Sequence, residues 1–500
     1  MSNREEFITQ TETLINGLLR EAIGYTVKSQ VPYYRGIVGY MVETPLLWIR
    51  HSRFPIFFVA YDQRNPDILS DVVSQPQMAN ATEYFAILIV VPTQQGTGNE
   101  AEELRHIVAD SVYHHDFVVL DHHHLRSIIA KNSSQRLVEI ILTQGIELSS
   151  LSPYVIKGPV PENMFFGREK EIKNISQTIH NRDYAFVGGR RIGKSSTLLR
   201  LNRLLGNDPR YFAAYLNCEE QFSVADFLAV IADEFTDGVQ EVPPMSMRNL
   251  VAGLQEAHQD KQIIFLLDEV DQLVNDDAST QDGRLFRTFR GLSQEGKCHF
   301  IFSGSRTLFH HLHDPQSPFF NFCQSIPLKP LSEKGVAEII RKPMQQLGIA
   351  LPDEEELINQ VINLTSCHPS LVQWLCHKLL QEVNARRITA SDLTAVAATP
   401  AFSEYFIETA WGEATPLEKM LTMFVNKPQF DLSELVAAAA RYKLNDKMKI
   451  REGLRILEMY ALIERRGSAY RFALTQFPRI LRQLEDVPFL IESMLAQVEA

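Results

Sequence analysis

The chain has no long hydrophobic run. Its most continuous apolar stretches are Phe85-Ala86-Ile87-Leu88-Ile89-Val90-Val91 and Ile263-Ile264-Phe265-Leu266-Leu267. Both fall far short of the roughly 20 residues a membrane helix needs, so no membrane segment is expected. The opening residues Met1-Ser2-Asn3-Arg4-Glu5-Glu6 lack the basic and apolar regions of a secretory signal. Cysteine is scarce: Cys218, Cys298, Cys323, Cys367 and Cys376 are odd in number, scattered and free of any CxxC pair. That argues against a disulfide framework or a zinc site and fits a reducing cytoplasm. Positive charge is also short, with 49 Lys and Arg against 61 Asp and Glu and a net charge of −12. Nucleic acid would therefore not be held by bulk electrostatics; a local basic patch would be needed.

What is present is a globular composition, 45% hydrophobic and 22% charged, over 500 residues. That is too long for one core, and two to four domains are expected. Residues 1–150 read as a mixed α/β unit. Helices are expected at 5–22, 68–77, 100–111 and 125–142, and strands at 35–42, 55–61, 84–91 and 116–120. The continuously apolar strands suit a sheet buried on both faces, and 92–98 reads as a loop. Residues 149–161 contain Ser149, Gly158, Pro153, Pro159 and Pro161, a linker composition, and 151–164 is taken as the linker. From 165 to 327, strands at 184–187, 213–216, 263–267 and 298–303 alternate with helices at 169–180 and 194–205, which indicates a parallel sheet. Residues 328–400 are helical. Residues 401–485 contain helices and two short strands around Arg465-Arg466-Gly467-Ser468, and 486–500 remain as a tail.

Gly188-Gly189-Arg190-Arg191-Ile192-Gly193-Lys194-Ser195 fits GxxxxGK[ST]. The pattern arises by chance about 0.02 times in a chain of this length. The context also fits, because an apolar strand precedes it and a helix follows. Glycines let backbone N–H groups wrap phosphates, and the helix that follows, including Ser196, aims its positive end at them. Lys194 would reach the β- and γ-phosphates of ATP or ADP, and Ser195 would ligate Mg²⁺. The apolar strand at 263–267 delivers Asp268 and Glu269 at its C-terminal end, where ligands sit in open α/β sheets. Asp268 would hold Mg²⁺ and Glu269 would polarise the attacking water. Asp271 reads as a solvated or capping residue. On the neighbouring strand Ser303 is the first candidate for sensing the γ-phosphate, with Ser305 and Arg306 behind it.

Together, these residues resemble the AAA+/STAND group of P-loop ATPases, in its prokaryotic "archaeal ATPase"-like branch. The resemblance covers about 165–480. It rests on Phe166-Gly167-Arg168-Glu169-Lys170-Glu171, the phosphate loop, Leu267-Asp268-Glu269, Phe302-Ser303-Gly304-Ser305, Leu328-Lys329-Pro330-Leu331-Ser332 and Cys367-His368-Pro369, followed by a winged-helix-like module. It implies an α/β P-loop core with a helical lid and a winged helix. Phe166, Gly167 and Arg168 would pack at the adenine side, and Pro369 would approach the nucleotide. Cys367 stands where the family usually carries Gly, a residue free to adopt φ > 0. His368 reads as a satisfied, partly buried histidine. The resemblance further implies a nucleotide-controlled switch in signalling or defence, triggered by a protein partner or ligand and able to form nucleotide-dependent oligomers, with Arg287, Arg290 and Arg306 as arginine-finger candidates. A scaffold with negligible turnover is an alternative.

Residues 441–482 hold eleven Lys and Arg against four acids, a local balance of +7. Two readings stand: a DNA-contacting winged helix, as in origin-recognition-type ATPases, or a basic face docked on an acidic ATPase core. The strand order of 1–120 resembles a restriction-endonuclease-like fold. Its (D/E)xK triplet is missing at Val59-Ala60-Tyr61-Asp62-Gln63, so nuclease activity is not expected. His114-His115 and Asp121-His122-His123-His124 invite a metal assignment. Adjacent residues on an extended segment point apart, however, which favours solvated positions.

Overall fold

The computed structural model describes residues 3–34, 36–43, 53–61, 67–75, 78, 86–91, 99–109, 117–131, 134–144, 148–219, 223–235, 246–425 and 427–499. Asp62, Gln63, His114, His115 and the loop 92–98 lie outside them.

The N-terminal unit is a five-stranded sheet of β1 (Thr26–Tyr34), β2 (Ile37–Glu43), β3 (Arg53–Val59), β4 (Ala86–Val90) and β5 (Phe117–Leu120), in that order. The first three strands are antiparallel and the last three parallel. Ile56 and Phe58 pack into one apolar cluster while Phe57 and Val59 pack into another. The sheet is thus buried on both faces, as its unbroken apolar strands require. Strand β1 escapes the sequence reading because Thr26, Lys28, Ser29 and Gln30 break its apolar pattern; among the described residues it is an edge strand paired with β2. The helix expected over 125–142 is two helices, His122–Lys131 and Ser134–Thr143. His122, His123 and His124 therefore begin a helix rather than an extended segment. Asp121 accepts the His123 and His124 N–H groups, each at 2.9 Å, and caps that helix.

The second sheet is wholly parallel: β10 (Cys323–Pro327), β6 (Asp183–Val187), β9 (Cys298–Gly304), β8 (Gln262–Asp268) and β7 (Tyr211–Asn217), in spatial order. The phosphate loop leaves β6, so β9 lies between that loop's strand and the acidic strand β8. The lid packs four helices, Glu333–Gln346, Glu354–Thr365, Pro369–Val383 and Ala390–Ala397. Ser332 caps the first by accepting Gly335 N–H, and Thr389 with Asp392 forms a reciprocal capping box on the last.

The C-terminal module combines helices Pro400–Trp411, Pro416–Met423, Leu432–Ala440, Lys447–Met459 and Phe477–Leu484 with β11 (Gln429–Asp431), β12 (Ile463–Arg466) and β13 (Ala469–Phe472). The three strands form one antiparallel sheet, β11-β13-β12. Residues read as a tail form a helix, Val487–Glu499, which packs on Pro416–Met423 and buries Ile491. Among the described residues no helix is long and apolar enough to cross a membrane.

The linker composition at 149–161 is misleading. Leu151, Ser152, Pro153 and Tyr154 are buried. Tyr154 donates to the Ile339 carbonyl at 3.1 Å, Val155 N–H to Gln373 Oε1 at 3.2 Å, and Val160 N–H to Ser196 Oγ at 3.1 Å. The segment is a strap whose polar groups find partners on the lid, at Ile339 and Gln373, and on the helix after the phosphate loop, at Ser196.

Candidate functional site

A cavity of about 650 Å³ opens where the phosphate loop, the ends of β7 and β8, the strap and the lid meet. Arg190, Arg191, Ile192, Gly193, Lys194, Ser195 and Ser196 line it. Gly193, at φ 99°, is the N-cap of helix Lys194–Gly206, so the helix's free N–H groups face the cavity. Lys194 is buried and curls over its own loop, donating to the Gly188 and Gly189 carbonyls at 3.3 and 3.4 Å. Its Nζ also lies 3.5 Å from Glu269 Oε1. Gly188 and Gly189 thus serve through their carbonyls, behind the cavity lining.

Asp268, at the end of β8, is almost fully buried. It accepts hydrogen bonds from Ser303 Oγ and, at 3.1 Å, from the Tyr215 hydroxyl. Glu269 adopts φ 51°. A left-handed conformation costs a residue with a Cβ roughly 1–2 kcal/mol, here offset by its N–H bonding to Asp268 Oδ1 at 3.1 Å and Ser303 Oγ at 3.3 Å. Burial pushes the Glu269 carboxyl above its ordinary value; Lys194 opposes this, while Asp268, Asp271 and Glu413 add to it.

Ser303 departs from the expected sensor position. It is fully buried and does not line the cavity. Because β9 sits directly beside β8, its hydroxyl meets Asp268 and the Glu269 N–H instead. Asp271 caps, as expected, but the helix it caps is Arg306–His313, beyond β9: its carboxylate takes the N–H groups of Ser305 at 2.6 Å, Thr307 at 2.7 Å and Leu308 at 3.2 Å. Arg306 is engaged with Glu418 at 2.5 and 2.7 Å, and Arg290 with the Pro318 and Phe320 carbonyls at 3.3 and 3.1 Å. Arg287 remains exposed, 3.1 Å from Asp282.

Phe166, Arg168 and Pro369 line the cavity. Gly167, at φ 77°, does not; a Cβ there would stand 3.3 Å from Gly335 of the lid. Arg168 is buried and donates to Ile192 O at 3.2 Å and Lys329 O at 2.5 Å, tying the phosphate loop to the lid. Cys367 takes φ 62° next to Ser366 at φ 48°. The backbone therefore makes the left-handed turn that glycine would ease, held by Leu331 N–H on Cys367 O at 3.0 Å. Pro369 reaches the cavity as a result. His368 is more deeply buried than expected, its Nδ1 has no hydrogen-bond partner among the described residues, and burial presses its pKa down to about 3.

The C-terminal module closes over the loop. Arg191, at φ 61°, bonds Glu408 at 2.9 Å and lies 4.8 Å above the Tyr405 ring. Arg190 stands 3.9 Å from the same carboxylate, and His310 3.6 Å from Glu452. Ile456, Met459 and Tyr460 enter the apolar cluster of the ATPase core. Docking therefore pairs Glu408 and Glu418 of the module with Arg190, Arg191 and Arg306 of the core, the reverse of the polarity expected from sequence. All eleven Lys and Arg of 441–482 stay exposed. Sequence reasoning also missed Tyr215, Asn217, Gln373, Glu413 and the strap 155–160 as cavity lining. None carries a local motif, and among the described residues no group of three or more His, Cys, Asp or Glu is arranged to hold a metal.

Residues 165–375 match the family described as an ATPase domain predominantly from Archaea. No curated protein sequence matches the chain. Among solved structures, the chain is similar to the Walker-type ATPase PabY2304 of Pyrococcus abyssi, at 16% identity over 66% of this chain and 99% of that one, with a TM-score of 0.49. It is similar to the Aeropyrum pernix ORC2 protein in ADPNP–ADP complexes, at 13% identity over 66% and 95%, with a TM-score of 0.46. It is also similar to the Aeropyrum pernix ORC1 protein in complex with DNA, at 14% identity over 67% and 94%, with a TM-score of 0.35.

Proposed function

We propose that this chain is a cytoplasmic STAND/AAA+-type molecular switch that binds ATP with Mg²⁺ and hydrolyses it. The observation that carries the reading is the convergence of Lys194, Asp268 and Glu269 on one cavity lined by the phosphate loop. Loop N–H groups and Lys194 would hold the phosphates. Ser195 and Asp268 offer hydroxyl and carboxylate oxygens, a donor set that suits Mg²⁺, which keeps several waters and needs few protein ligands. When bound, the ion neutralises charge on the β- and γ-phosphates. Ser303 and Tyr215 orient Asp268. Glu269 takes the proton of the attacking water. The strap and the module, which touch the same cavity, would pass nucleotide state to a sensing N-terminal domain and a C-terminal winged helix, with a protein partner or ligand as trigger. Phosphate release by the full chain tests the reading: Lys194→Ala should abolish turnover, and a variant as active as the wild type would end it.

A second reading, DNA contact through the winged helix, is favoured by one observation. All eleven Lys and Arg of 441–482 stay exposed while the module is docked.

A further inference from the structure

The connection between helices Pro400–Trp411 and Pro416–Met423 belongs to the C-terminal module, yet it enters the cavity. Gly412, at φ 43°, turns the chain against Arg190, and the next residue, Glu413, lines the same cavity as Lys194, Asp268 and Glu269. Ser305, two residues beyond Ser303 at the end of β9, donates its hydroxyl to the Glu413 carboxylate. Glu413 is exposed, and this hydrogen bond holds its carboxylate beside the end of β9, in the cavity that Asp268 and Glu269 also line. A third phosphoryl group reached by Lys194 would lie beyond the β-phosphate, on the side of Asp268 and Glu269.

We propose that Glu413 makes the docked chain selective for nucleoside diphosphate over triphosphate, by holding a carboxylate where the terminal phosphate would lie. This rests on the nucleotide-site reading above. A terminal phosphate brings a charge of about −1.5 to −2 into a region already holding Asp268 and Glu269. Like charges crowded together disfavour each other's ionised forms. Docking keeps Glu413 in place through Arg306–Glu418, Arg191–Glu408 and the Tyr460 backbone on Gly189. By linkage, whatever favours docking favours diphosphate, and triphosphate binding opposes docking.

The test is competition of ADP and a non-hydrolysable ATP imido-analogue against a fluorescent ADP, on the full chain at fixed Mg²⁺. Wild type should prefer ADP. Glu413→Gln keeps the shape and removes the charge. It should strengthen analogue binding on the order of tenfold while ADP changes by less than about twofold. Glu413→Asp should keep the preference. Equal changes for both ligands, or weaker analogue binding dependent on Mg²⁺, would overturn the proposal; the latter would make Glu413 a metal ligand. Should Glu413→Gln fail to fold, Ser305→Ala releases the carboxylate and must narrow the preference, or the proposal fails. A wild type that binds neither nucleotide refutes the underlying site reading instead.

Discussion

Gly189 lies directly beneath Tyr460: a β-carbon at Gly189 would stand 2.9 Å from the Tyr460 main-chain oxygen and 3.3 Å from its Cα. The contact joins the phosphate loop to the end of helix Lys447–Met459. Both sides are backbone, so neither can yield by rotating a side chain. Gly189→Ala should weaken docking by about 1–3 kcal/mol, the usual cost of overpacking. Faster protease cleavage between the lid and the module, with a larger radius by X-ray scattering, checks it.

Arg306 and Glu418 form the docking ion pair, with Glu418 only 3% exposed. Burial works against the Arg306 charge, but Glu418 and the Tyr460 oxygen more than restore it. Removing Arg306 leaves the buried Glu418 carboxylate without its charge partner, held by the Thr415 N–H at 2.8 Å. Arg306→Ala should therefore destabilise by about 3 kcal/mol, while Arg306→Met with Glu418→Leu should cost much less. Denaturant unfolding of the three proteins separates these outcomes; equal losses in both variants would contradict the buried-pair account.

Glu269 acts as a base only when ionised. Burial raises its carboxyl above the ordinary value of 4.5, against the pull of Lys194. Turnover should therefore fall as pH drops, with a midpoint above that value. Glu269→Gln should lower the rate roughly 10²–10⁴-fold while nucleotide binding survives. A pH–rate profile and a binding titration of the variant are the checks.

Arg465 and Arg466 lie exposed at the β12–β13 turn. If the free basic surface meets DNA, charge reversal at both should weaken duplex binding uniformly across sequences and flatten its dependence on salt. Fluorescence anisotropy from low to high salt measures this. No binding by wild type even at low salt removes the DNA reading and leaves the ATPase intact.

Asp121 titrates low, at about 2, because the His124 N–H, the Arg105 guanidinium and the His124 ring together outweigh its burial. A depressed carboxyl contributes stability that is present above the unfolded value of 3.8 and lost as pH falls towards 2. Asp121→Asn should cost about 2 kcal/mol at neutral pH. The gap between variant and wild type should close near pH 2 in acid-unfolding curves.

The phosphate loop and the Asp268-Glu269 strand end were legible in the sequence because each is contiguous. Gly193, Lys194 and Ser195 meet phosphate through the geometry of one turn between a strand and a helix. Five apolar residues before Asp268 place it at a buried strand's end whatever else the chain does. The unbroken apolar runs of β3 and β4 likewise announced a sheet covered on both faces. Other features depended on long-range packing. Ser303 turns to Asp268 because β9 inserts between β6 and β8, and strand order is set by how helices cover the sheet. The strap at 152–160 looked like a linker because composition reports backbone freedom, while its burial depends on lid residues such as Ile339 and Gln373. Glu413 and Tyr460 lie more than 200 residues from the loop they reach. They arrive there because Ile456 and Met459 bury their apolar face in the ATPase core. The basic residues of 441–482 stay exposed. Local sequence decided what the phosphate site is made of; the docking of apolar faces decided what stands over it.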